Sequence, residues 1–180
     1  HGGHTTLDIE IKGAPAHSSK PHLGCNSIEI LGELIMELRQ FQITLAEQPS
    51  QHSEMNCAHS LINLATVQGG TAVNIVPEHT KLRLGMRPMP GHSSEEMIAY
   101  IQEKIFSLNK KYPQANLSSS LIQDAPPMLT PRGTPLEKHL SRILSTSSTI
   151  GVPFATDGGR LTHLGFTPLI CGPGSIEQAH

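Results

Sequence analysis

The 180-residue chain is 37% hydrophobic, holds 16 Gly and 14 Pro, and carries a net charge of −2 with no run of Lys or Arg. That suits one loop-rich globular domain, or one domain plus a piece of another, and makes nucleic acid a poor partner. No stretch approaches the roughly 18 apolar residues of a bilayer span, so no membrane association is expected. Aromatic content is 3% with no Trp, so the core must rest on Leu, Ile, Val and Met. Cys25, Cys57 and Cys171 are odd in number and far apart, the pattern of a reduced, cytoplasmic protein.

The chain opens on His1-Gly-Gly-His4 rather than Met and runs at once into a strand. This reads as a cut inside a longer reading frame, with a tag remnant as the alternative for His1. Leu7, Ile9 and Ile11 alternate with Asp8, Glu10 and Lys12, the signature of a half-buried strand. Ser27 to about Leu45 repeats apolar residues at helical spacing (Ile28, Leu31, Ile35, Leu38, Phe41), with Asn26 as the expected N-cap. A polar loop, Gln48 to Asn56, leads to a strand over Ser60–Val67, broken by Gly69-Gly70. Val73–Val76 reads as a short extended piece. Lys81–Arg87 alternates as a third strand and Pro88–Gly91 turns the chain. Ser93-Ser-Glu-Glu96 is a capping box for a helix with the stripe Met97, Ile101, Ile105 and Leu108. Ala115–Ile122 is the fourth strand.

Strand, helix, strand, strand, helix, strand is the split βαβ order. The expected fold is α+β: a four-stranded antiparallel sheet with two helices on one face, over residues 4–123. Pro126-Pro127 and Pro131 mark a boundary. Residues 124–180 hold a helix near Thr134–Ser148, a loop at Thr156-Asp157-Gly-Gly159, and a buried strand at Thr167–Cys171. That last piece is too short for a domain, and its strand needs a sheet from sequence that lies elsewhere.

Four motifs stand in order along the chain: Gly13-Ala-Pro-Ala-His17-Ser-Ser-Lys-Pro21 with Gly24-Cys-Asn26-Ser-Ile28, Gly69-Gly-Thr-Ala-Val-Asn74-Ile-Val-Pro77, Arg87-Pro-Met-Pro-Gly91, and Cys171-Gly-Pro-Gly-Ser-Ile-Glu-Gln-Ala-His180. Together they resemble the acetylornithine deacetylase and succinyl-diaminopimelate desuccinylase family of two-zinc amidohydrolases and exopeptidases. The ending is nearest the acetylornithine deacetylases.

The resemblance implies that residues 4–123 are the lid, or dimerisation, domain and 124–180 the C-terminal part of an α/β zinc-hydrolase catalytic domain. It implies a homodimer joined through the lid, two zinc ions per site (cobalt being the alternative), and a small N-acylated amino acid as substrate. N2-acetylornithine leads, ahead of succinyl-diaminopimelate, N-acetylcitrulline and peptides. His17 would reach the partner's active site and hydrogen-bond the scissile carbonyl oxygen, and His180 would be a terminal zinc ligand. Gly172, Gly174 and Ser175 would place donors near the substrate carboxylate.

Asn74 would orient the substrate, or simply stabilise the turn after the glycine pair. Arg87 would fork onto a substrate carboxylate, or remain a solvated strand-face cation. The family's H-x-D pair, bridging Asp and catalytic Glu pair have no counterpart here, and Glu95-Glu96 belong to a helix cap. The fragment alone is therefore expected to bind zinc poorly and to be inactive. A stand-alone dimerising module is the competing reading.

Overall fold

The computed structural model describes residues 1–49, 57–145 and 149–174. The alternating opening segment forms β1 (His4–Lys12), with Leu7, Ile9 and Ile11 fully buried on one face. α1 (Ser27–Ala46) starts at Asn26, whose side-chain oxygen accepts the N–H groups of Ile28 and Glu29. This satisfies two donors that have no partner inside the helix. Its inner stripe is Ile30, Leu31, Leu34, Leu38, Phe41 and Leu45.

β2 (Leu61–Gly69) and β3 (His79–Arg87) follow. α2 (Ser94–Lys111) opens with the full capping box: the Glu96 N–H donates to Ser93 Oγ, and the Ser93 N–H donates back to the Glu96 carboxylate. β4 (Asn116–Ala125) completes the sheet.

The strand order is β2-β3-β1-β4, with every neighbour antiparallel. The buried side chains of β1, β3 and β4 form one core with both helix stripes, so the helices cover a single face. Each fully buried aliphatic side chain there is worth about 1.5–3 kcal/mol in transfer free energy. β2 and β4 are the two edges.

The other sheet face is polar and is organised by Asp8. Its carboxylate takes Nε and Nη2 of Arg83 at 2.6 and 2.9 Å and Nζ of Lys81 at 2.8 Å. The hydrogen bonds from Arg83, then Lys81, hold the Asp8 carboxyl far below its ordinary value of about 3.8. A group depressed on folding contributes stability that is present above its unfolded value and lost as pH falls towards its folded one. Thermal stability is therefore expected to fall as pH drops below about 4, and Asp8→Asn should flatten that part of a melting-temperature against pH curve. An unchanged acid limb in the Asn variant would remove Asp8 from the account.

Beyond β4 lie α3 (Pro135–Leu144), capped by Thr134, and α4 (Gly158–His163). Several expectations change here. Thr167–Cys171 forms no strand: no strand among the described residues pairs with it, and Ile170 stays exposed. Gly158-Gly159, expected in a loop, begin α4. α3 stops at Leu144 because Ser145 takes a left-handed conformation, φ 52°; the expected helix end at 146–148 lies outside the described residues. Val73–Val76 is a turn with one bridge at Ile75 rather than an extended piece.

Candidate active-site elements

At the end of β1 the chain folds into a ribbon that carries His17. The Gly13 N–H donates to Glu78 O at 2.7 Å, and Ala14 and Cys25 exchange both backbone bonds, at 3.0 and 2.8 Å. The ribbon then pairs with the segment before β3. Val76 N–H donates to Ala16 O at 2.8 Å, Ser18 N–H donates to Asn74 O at 3.0 Å, and His17 bridges Ile75. His17 and Asn74 are thus brought together beside the start of α1. The Pro-rich loop can hold this shape because its backbone groups are paired.

His17 itself heads a tight turn, closed by the Lys20 N–H on His17 O at 2.8 Å. Within it the Ser19 N–H donates to His17 Nδ1 at 3.2 Å, and Ser19 Oγ lies 2.8 Å from the same nitrogen. A nitrogen that accepts a backbone N–H carries no proton, so the neutral ring is protonated at Nε2. The exposed imidazole therefore offers an N–H donor to whatever docks against it. Sequence reading singled out His17 and missed Ser19; a serine two residues after a histidine in a turn is the signal that could have found it.

Arg87 is at the opposite end of the sheet. The eight residue steps of β3 from His79 to Arg87 span roughly 26 Å. There Arg87 lines a cavity of about 560 Å³ with His4, Gln123, Thr156 and Asp157. Burial, and then the Arg87 charge, push the His4 imidazole below its ordinary value. His4 is therefore poised to stay neutral beside the guanidinium.

The 126–174 segment joins this same end. His1 and Met128 exchange backbone bonds at 2.9 Å, and His1 Nε2 accepts from the Thr156 N–H at 3.3 Å. Gly172 lines a second cavity of about 400 Å³ with His1, Met128 and Cys171. Gly174 turns the chain with φ 90°. Ser175 and His180 lie outside the described residues.

One chain thus holds His17 with Asn74 at one end, and Arg87 with the glycine-rich segment at the other. It does not assemble all of them around one substrate. Among the described residues no three His, Cys, Asp or Glu side chains cluster tightly enough to hold a metal ion. Glu95 and Glu96 sit in the first turn of α2, where they complement the helix dipole. These residues do not by themselves fit a two-zinc centre. No helix among them is long and apolar enough to cross a membrane.

Acetylornithine deacetylase of Buchnera aphidicola subsp. Schizaphis graminum is 32% identical over all 180 residues, which cover 46% of that protein. The enzyme of the same name from Pectobacterium carotovorum is 31% identical, again with 46% covered. The chain therefore spans about half the length of the curated relatives it matches. Among solved structures, a tripeptidase from Staphylococcus aureus superimposes with TM-score 0.61 at 19% identity, over 92% of this chain and 42% of that one. An aminobenzoyl-glutamate utilization protein from Klebsiella pneumoniae gives 0.60 at 18%, over 91% and 39%. The model of the peptidase dimerisation domain matches residues 1–113. Its match covers the whole βαββα part of the sheet domain, and the chain belongs to this M20 peptidase dimerisation-domain family.

Proposed function

We propose that this chain is the dimerisation and C-terminal part of a metal-dependent amidohydrolase that removes the acetyl group of N2-acetylornithine, giving ornithine and acetate, a step of arginine biosynthesis in the cytoplasm. The observation that carries this reading is the placement of the two half-sites. A donor imidazole and Asn74 stand at one end of the sheet, and Arg87 and the Gly172–Gly174 segment at the other. In a two-fold dimer the His17 end of one copy can complete the Gly172 end of its partner.

In that shared site Nε2–H of His17 would donate to the amide oxygen as negative charge develops there. Asn74 would hold the amide, and Arg87 or the backbone donors of Gly172, Gly174 and Ser175 would hold the carboxylate. His180 would be one of the ligands that hold zinc there, and the metal would polarise the amide oxygen. Residues 4–123 act as the lid and 124–180 as part of the catalytic domain. The exposed Leu136, Ile143 and Leu144 of α3, a helix without a single buried residue, support that division.

The test is acetate release from N2-acetylornithine by the full-length protein, stripped of metal and then reloaded with zinc. Release that vanishes with chelation and returns with zinc is the expected result, while the 180-residue chain alone should release none. Turnover of N-succinyl-diaminopimelate with no action on acetylornithine would replace the deacetylase by a desuccinylase.

A further inference from the structure

The cavity at the Arg87 end of the sheet holds two opposite charges that do not neutralise each other. Arg87 reaches it from the end of β3, and Asp157 from the residue just before α4. Among the described residues neither side chain forms an ion pair. The Asp157 carboxylate caps no N–H of α4 either. Arg160, close by in the chain, donates to Asp124 O at 2.8 Å instead.

Both charges stand on backbone that is fixed in place. Arg87 pairs with Leu61 in the last rung of the β2–β3 ladder, and just beyond it Pro88 O takes the Gly3 N–H at 2.7 Å. Before α4, His1 Nε2 lies 2.9 Å from Thr156 Oγ, and the Gly158 N–H donates to the same hydroxyl oxygen at 3.1 Å. Gly159 packs so closely on the segment after β4 that a Cβ there would collide with Pro126 O. Residue 157 thus has anchored neighbours on either side, and a charge held this way loses little entropy when a ligand docks.

The rest of the lining is neutral. Burial, and then the Arg87 charge, keep the His4 imidazole uncharged. Gln123 and Thr156 add uncharged polar groups, and Phe154 adds apolar surface. A cavity of about 560 Å³ with one cation and one anion suits a small ligand that carries a carboxylate, a short methylene stem and an ammonium.

We propose that Asp157 selects a cationic side chain, binding the terminal ammonium of the N-acylated amino acid while Arg87 takes its carboxylate. This rests on the reading of the protein as a deacetylase of N2-acetylornithine, and it concerns the side chain rather than the scissile amide. The two charges also fix direction. A substrate turned end for end would bring ammonium to Arg87 and carboxylate to Asp157, two repulsive contacts in place of two attractive ones. A neutral side chain would leave the Asp157 carboxylate facing a group that cannot pair with it. N2-acetylcitrulline, with the same stem and an uncharged end, is disfavoured by the same residue.

The experiment measures kcat and KM of the full-length, zinc-loaded protein for N2-acetylornithine and for N-acetylnorleucine. The norleucine side chain has the same length, with a methyl where ornithine has its ammonium. The parent should prefer acetylornithine. Asp157→Asn should lower the ratio of the two kcat/KM values by about 10- to 100-fold, the usual effect of losing a charge-assisted hydrogen bond. On acetylornithine the loss should fall on KM, because the ammonium lies away from the reacting carbonyl. Asp157→Glu, which keeps the charge, should retain most of the preference, and Asp157→Lys should reverse it. Asp157 is exposed and caps nothing, so these variants should melt with the parent.

An Asp157→Asn ratio equal to the parent's overturns the Asp157 assignment alone, with deacetylation intact. A fall in kcat shared by both substrates makes Asp157 a structural residue and overturns it as well. A full-length protein that deacetylates neither substrate overturns the deacetylase reading, and this assignment with it.

Discussion

Replacing His17 with Ala is expected to lower kcat of the full-length, zinc-loaded enzyme by about 100- to 1,000-fold with little change in KM. That is the usual range for loss of one donor to a developing oxyanion, and it falls on kcat because the bond tightens only in the transition state. His17→Gln, which retains an N–H donor on a shorter planar head, should lose less. The geometry behind this is specific: Ser19 donates to Nδ1 at 3.2 Å, so the proton sits on the outward nitrogen. His17 is exposed in the chain by itself, so its loss should leave the melting temperature nearly unchanged. Steady-state kinetics with N2-acetylornithine, beside a melt of each variant, separates the two effects. A tenfold or smaller fall in kcat would reduce His17 to a surface residue.

The second large effect is on stability. A Cβ at Gly13 would stand 2.1 Å from Cys25 O and 3.1 Å from Cys25 C, both backbone atoms that cannot swing aside. Gly13→Ala must therefore push apart the crossing that anchors the His17 ribbon to β1, at a cost of about 3 kcal/mol or more. For a chain of this size that corresponds to a melting temperature roughly 6–12 °C lower. Gly32, exposed on α1 with nothing within 4 Å of an added Cβ, is the control. Gly32→Ala should stabilise by about 0.5–1 kcal/mol through helix propensity. Equal melting temperatures for the two variants would show that the Gly13 approach is not as tight as described.

Much of the sheet domain was legible because its elements carry redundant signals. Leu7, Ile9 and Ile11 alternate, the α2 stripe is preceded by a complete capping box, and Asn26 stands where a cap belongs. Strand ends were less so. β2 runs on to Gly69 and β3 starts at His79, because pairing in the ladder, rather than propensity, decides the last rungs. The segment 167–171 shows the same dependence in reverse. Its apolar run reads as a strand, but a strand exists only against a neighbour, and none of the described residues pairs with it.

For the site, motif spacing singled out His17, Asn74 and Arg87, but spacing carries no distances. Only the topology reveals that the first two share a ribbon while Arg87 lies a full strand away. Ser19 escaped because it acts through a hydrogen bond whose partner is set by the fold of the turn, and a serine is not unusual where it stands.

The central claim is that one active site draws on two copies of this chain. It is tested most directly by mixing two inactive full-length variants, His17→Ala and His180→Ala, under conditions that exchange subunits. In a heterodimer the His180→Ala copy supplies His17 to the intact metal side of its partner. With random exchange half the dimers are mixed and each has one competent site, so activity should return to about a quarter of the parent value. If activity stays at the level of the separate variants while the subunits demonstrably exchange, His17 serves its own chain or none, and the shared-site account is wrong.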